Sequence, residues 1–207
     1  MDLAEPARAL SKGLTMPVLR ALSQRSTPAT ATQVWRAARQ GTLPGVQGTC
    51  ERLVEHGLVE KDESAGRSVY SLNFDHLLYD ATIALLGLED ALPTRLGETV
   101  AAWEVRPVTL ALFGSAARGD GDVDSDIDVL LVRPPLPAPR RPVWARQVHA
   151  LKHDVPRWTG NRLQVVDLTR RGVADLVRVG DPLVRSWQDE ALTLYGEDLD
   201  DLIAGRA

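Results

Sequence analysis

A chain of 207 residues with 44% hydrophobic and 25% charged residues suits one large or two small globular domains and excludes a disordered or fibrous polymer. No apolar run approaches the roughly 20 residues of a membrane span, MDLAEPARALSKG lacks a signal peptide's apolar stretch, and the single cysteine, Cys50, forbids an internal disulfide, so a cytoplasmic protein without a membrane partner is expected. The net charge of −4 argues against a general nucleic-acid binder, but residues 1–74 carry +2 and residues 75–207 carry −6, a split that suggests two modules.

The first elements are short. Val18, Leu19 and Leu22 share one face of a helix over Met16 to Ser23. Ala31 to Arg39 reads as a second helix, capped by Thr30 or Thr32. After the turn at Gly41, Pro44 opens a third helix that runs to about His56, with Val46, Cys50, Leu53 and Val54 facing a core. Gly57 ends it. Leu58 to Lys61 and Ser68 to Leu72 alternate like strands around the turn-forming DESAGR, so they read as a hairpin.

Three short helices and a hairpin, with the junction ERLVEHGLVEK, resemble bacterial winged helix-turn-helix regulators. That resemblance implies a DNA-binding domain over 1–74 whose third helix enters the major groove. Gln47, Thr49 and Arg52 lie off the core stripe of that helix, and Arg67 stands at the wing tip. These four are the candidate base and phosphate contacts, with Arg36 and Arg39 as further backbone contacts. Glu51 and Glu55 on the same helix dilute its positive charge, and such domains also serve as dimer or protein-interaction modules.

Two helical patterns, about Phe74 to Leu86 and Glu89 to Trp103, form a connector over 75–104. Over 105–207 the expected order is a buried strand (Val108 to Phe113), a second strand within Val123 to Val132, a helix from about Val143 to Trp158, a third strand (Leu163 to Leu168), and two or three closing helices. Interleaved strands and helices point to an α+β domain, a mixed sheet flanked by helices.

The most informative stretch is LALFGSAARGDGDVDSDIDVLLV, residues 110–132. Gly114 can take backbone angles closed to other residues. Ser115 begins a short helix whose free N–H groups suit the phosphates of a nucleoside triphosphate. After a spacer of ten residues, Asp126 and Asp128 are two apart, so on a strand both carboxylates leave one face. Paired hard oxygens suit Mg²⁺, or Mn²⁺. Arg118 either meets a phosphate or pairs with a neighbouring acid. A calcium loop would need Gly at Ser125 and Glu at Leu131, so that alternative is rejected.

Gly114, Ser115, Ala117, Arg118 and Gly119, followed by Ser125, Asp126 and Asp128, resemble the DNA polymerase beta-like nucleotidyltransferase superfamily. The match is nearest to small bacterial members related to kanamycin nucleotidyltransferase. It implies Mg²⁺-dependent transfer of a nucleoside monophosphate from a triphosphate to an acceptor hydroxyl: on a protein, an RNA end or a small molecule. It also implies a third carboxylate on a later strand. In NRLQVVDLT the family pattern lays Gln164 on the catalytic position and Asp167 on the later one. Period-two geometry sends these two to opposite faces, so only one meets Asp126 and Asp128; Asp167 could instead cap the helix near Arg170. Depending on which it is, the chain reads as an enzyme or as a nucleotide-sensing regulator, and the toxin–antitoxin systems that use small nucleotidyltransferases would combine both. A homodimer is a further option.

Other groups carry less. His149 and His153 are spaced i, i+4 but lack an accompanying HExxH, so a surface pair is expected rather than a metal site. Cys50 reads as core filling, and Trp144, Trp158 and Trp187 as packing. Trp158 and Asn161, around the WTGN turn, are alternatively residues of an acceptor cleft.

Overall fold

The computed structural model describes all residues except 12, 64, 65 and 207. Residues 64 and 65, in the middle of the expected DESAGR turn, therefore lie outside the described residues. The chain divides into two compact units, residues 5–88 and residues 1–4 with 89–207. The segment read as a connector is shared between them.

In the first unit α1 (Thr15–Ser23), α2 (Ala31–Ala38) and α3 (Leu43–Glu55) precede an antiparallel hairpin of β1 (Val59–Asp62) and β2 (Val69–Leu72), and α4 (Tyr79–Leu86) follows. Local chemistry sets the boundaries. Thr30 and Gln33 form a reciprocal capping box that starts α2, and Arg39 in a left-handed conformation ends it. Thr42 caps α3, and Gly57, with φ of +75°, reverses the chain after it. Val18, Val34, Val46, Cys50, Leu53 and Tyr70 form the core. The helix expected from Phe74 begins only at Tyr79. Before it, Asn73 and His76 side chains bind the backbone N–H groups of Asp75 and Leu78 and hold the chain in turns.

The second unit is an α+β layer structure around a mixed four-stranded sheet. Its strands are β3 (Thr109–Phe113), β4 (Ile127–Arg133), β5 (Leu163–Thr169) and β6 (Leu192–Gly196), in the order β5-β4-β3-β6. The pair β4–β5 is parallel; the others are antiparallel. Both faces are covered, which explains the unbroken apolar run in β4. Ile127, Val129 and Leu131 pack under α5 (Ala91–Ala101) and α7 (Arg141–Thr159). Leu130 and Val132 pack in a second core with residues of α8 (Arg170–Val179), α9 (Pro182–Glu190) and α10 (Leu199–Ile203).

The fourth strand differs from the expectation of closing helices only. LTLYG pairs with β3 and not with a neighbour in sequence, so no hairpin signal announces it. Gly97 lets α5 approach: a Cβ there would lie 2.9 Å from the Leu194 carbonyl oxygen.

Candidate active site

The site forms where β3 ends and β4 begins. In the antiparallel register Phe113 stands opposite Asp128, so the chain leaves β3 beside the carboxylate it will later supply. Gly114 then adopts φ of +71°, a conformation that favours glycine. A Cβ here would also sit 2.7 Å from Asp128 Oδ2 and would force that carboxylate to turn away. One four-residue turn of helix, α6 (Ser115–Arg118), follows. Gly114, Ser115 and Asp128 are thus brought to one place.

The loop from 119 to 126 is braced from within and from behind. Ser125 Oγ donates to Asp122 Oδ1 at 2.8 Å and accepts from the Asp122 N–H at 2.9 Å. These contacts, the Ser125 hydroxyl first and the Asp124 N–H next, hold the Asp122 carboxyl below its usual range. Asn161, 2% exposed, donates through Nδ2 to the carbonyls of Asp122 (3.1 Å) and Ser125 (2.9 Å). It therefore positions the strand entry that carries Asp126. Trp158 lies under the Arg95 guanidinium, 4.2 Å from ring centroid to Cζ.

Asp126 and Asp128 are both half-buried. The Asp128 carboxyl is pushed above its ordinary value, first by burial and then by the negative charges of Asp126 and Glu190. The parallel register places Gln164 beside Asp128, and Gln164 Nε2 lies 3.3 Å from Asp126 Oδ2. Gln164 is the β5 side chain that meets the pair. Asp167 is registered with Leu131 on the other face. There it accepts from Trp144 Nε1 at 2.8 Å and lies 3.0 Å from Arg133 Nη1. It is not gathered with Asp126 and Asp128, and it does not cap α8 either: Thr169 does, accepting from the Gly172 N–H.

The sequence does not announce Glu190. From the end of α9 its Oε1 accepts from the Gly114 N–H at 3.1 Å and from Ser186 Oγ at 2.5 Å, while Oε2 pairs with Arg118. Arg118 also holds Asp120 at 3.1 Å. Its partners here are neighbouring acids, one of them 72 positions away. Ser186 and then Arg118 keep the Glu190 carboxyl below its usual range. A carboxylate therefore sits on the backbone donor that the sequence assigns to phosphate.

Among the described residues, no three His, Cys, Asp or Glu side chains are grouped to hold a metal ion. His149 and His153 form no such group, and His153 pairs with Asp154 at 3.0 Å. Asp126 and Asp128 remain as two hard ligands; burial first and then the charge of Asp126 raise the Asp128 carboxyl, and a divalent cation would favour its charged form. The donor set fits such an ion if phosphate oxygens and water complete its shell.

In the first unit Gln47 and Arg67 are exposed, as are Arg36 and Arg39. Arg52 donates to Thr15 Oγ1 at 2.8 Å, and the Thr49 hydroxyl donates to the Gly45 carbonyl. Glu51 accepts from Tyr70 and pairs with Lys61.

Residues 97–155 match a family model described as "Nucleotidyltransferase domain", under a third of the chain. No curated protein matches. A solved structure described as "Crystal structure of the toxin-antitoxin with AMP-PNP" aligns at a TM-score of 0.37 and 17% identity, covering 55% of this chain and 82% of that one. The matched segment takes in β3, the Gly114 turn, Asp126, Asp128 and most of α7, so the stretch that carries the site is similar to a nucleotidyltransferase domain.

Proposed function

We propose that the chain is a nucleotidyltransferase that moves a nucleoside monophosphate from a nucleoside triphosphate to an acceptor hydroxyl. The observation that carries this reading is the contact between the Gly114 turn and Asp128, which makes phosphate grip and carboxylate pair one site. In the reaction the acceptor oxygen forms a bond to the α-phosphorus, the bond from that phosphorus to the bridging oxygen breaks, and pyrophosphate leaves. Gly114 and Ser115 bind the triphosphate tail through backbone N–H groups. Asp126 and Asp128 hold Mg²⁺ or Mn²⁺, which supplies charge neutralisation on the polyphosphate when bound. Arg118, one turn into the same short helix, supplies a positive charge for the tail once its pairing with Glu190 opens. Catalysis of this kind is mainly positioning and electrostatics.

Gln164 favours a second reading. An amide has no basic site for the hydroxyl proton, so that proton leaves to solvent or to a phosphate oxygen, and turnover is slow. Such a site suits nucleotide sensing, coupled to DNA binding by a winged helix over 1–74 through Gln47, Thr49, Arg52 and Arg67. Calorimetry with Mg²⁺ and a non-hydrolysable triphosphate, alongside release of labelled pyrophosphate with the triphosphate itself, tests both readings. Asp126→Ala with Asp128→Ala is expected to abolish both signals. Unchanged binding by that double variant would remove the site. Binding without turnover, together with a triphosphate-dependent gel shift, would select the sensor.

A further inference from the structure

A cleft of about 710 Å³ opens at the opposite end of β4, where Arg133 and Thr169 close the parallel pair β4–β5. Asp126 immediately precedes β4 and Arg133 ends it, so this cleft is separate from the candidate active site. Its volume is that of a small-molecule site, and crevices outside the carboxyl ends of parallel strands are where α/β sheets bind ligands. One wall is the stiff segment Pro134, Pro135 and Leu136; the other is the face of α7 that carries Arg141, Trp144, Val148, His149 and Lys152.

The floor is preformed. Trp144 is buried, stacks edge-on against Trp103 with centroids 5.5 Å apart, and donates to Asp167. Charge inside the cleft is lopsided. Arg133 is neutralised by Asp167 at 3.0 Å. Arg141 uses Nε on the Leu136 carbonyl at 3.3 Å, which leaves its outer nitrogens for a ligand. Among the described residues neither Arg141 nor Lys152 has an ion-pair partner. Two uncompensated cations therefore face one cavity in a stretch, residues 75–207, whose net charge is −6. Thr169, the N-cap of the ten-residue α8, lines the same cleft and adds the positive end of a helix.

We infer that this cleft binds a small phosphorylated ligand with a flat apolar body. Its phosphate binds at the Arg141 guanidinium, whose fork matches phosphate oxygens, while Lys152, about 16 Å further along α7, adds a second positive charge at the far end of the cleft. Its body lies against Trp144, Val148 and the proline wall. The site takes no part in the proposed transfer chemistry.

The test uses the full chain, ¹⁵N-labelled, with phenyl phosphate as probe and a chelator present so that the carboxylate pair holds no metal. Saturable shifts of the Trp144 indole N–H and of amides along 141–152 are expected. Phenol should produce none. Arg141→Ala with Lys152→Ala, both at exposed positions, should weaken binding about tenfold or more, as loss of charge-assisted hydrogen bonds does, while leaving the melting temperature within a few degrees of the parent's. Asp126→Ala with Asp128→Ala should leave it intact even if nucleotidyl transfer is lost. Shifts confined to 113–128, undiminished binding by the Arg141 and Lys152 variant, or equal binding of phenol would each overturn the inference. So would binding of an RNA oligonucleotide without binding of phenyl phosphate.

Discussion

At residue scale the site depends on single groups whose replacement has a defined sign. Gly114→Ala adds a Cβ against Asp128 Oδ2 at a positive φ, and both effects destabilise the turn. A loss of roughly 1–3 kcal/mol and of triphosphate binding is expected, read by denaturant melts and calorimetry. Asn161→Ala strips two short hydrogen bonds from part-buried loop carbonyls. It should cost on the order of 1–3 kcal/mol while reducing metal-dependent binding, because the loop it anchors delivers Asp126. Gln164→Asp has opposite effects in two conditions. Without metal a third carboxylate beside Asp126 and Asp128 repels them and lowers the melting temperature; with Mg²⁺ it should raise both melting temperature and turnover above the parent's. A variant that melts lower with Mg²⁺ as well would contradict the placing of Gln164.

These residues also show what a sequence discloses. Gly114, Asp126 and Asp128 are legible because a positive-φ turn and a period-two pair are local patterns. Gln164 is legible only as one of two options, since facing depends on the β4–β5 register. Asn161 and Glu190 are not legible. Their hydrogen bonds reach 36 and 76 positions along the chain, and no local rule spans that distance.

At the scale of elements, α9 matters most because it delivers Glu190 to the Gly114 N–H. If that carboxylate competes with phosphate, Glu190→Gln, which removes its charge but keeps its shape, should tighten triphosphate binding; weaker binding would make Glu190 a brace of the turn instead. In the first unit the hairpin is tied to α3 by Tyr70, whose buried hydroxyl donates to Glu51 at 2.7 Å. That bond, ahead of the Lys61 ion pair, lowers the Glu51 carboxyl, while burial first and then Glu51 raise the Tyr70 hydroxyl to about 12. A depressed carboxyl contributes stability above its unfolded value that is lost as pH falls through the folded one. Tyr70→Phe should therefore cost about 1–3 kcal/mol near neutrality, and the gap from the parent should close in acid below about pH 4. The helices and the hairpin are legible from capping and alternation. The strand β6 is not, because its partner β3 lies far back in the chain.

For the whole molecule, the two units have separate hydrophobic cores. Leu53→Ala in the first and Trp187→Ala in the second, both deeply buried, should each cost roughly 2–5 kcal/mol. In calorimetry each should shift its own unit's transition; one transition moving as a whole would mean that the units unfold together. Cys50, its thiol raised to about 11 by burial, should resist alkylation at pH 8 until the first unit opens.

Translation order gives the sheet a further property. β3 has β4 on one side and β6 on the other, and both β6 and Glu190 are made long after the Gly114 turn. Until residue 196 has cleared the ribosome, a nascent chain carries a largely apolar strand with one bare edge, the sort of template that recruits other chains. A chain cut short between residues 170 and 190 would thus be prone to aggregate and not a feebler copy of the protein.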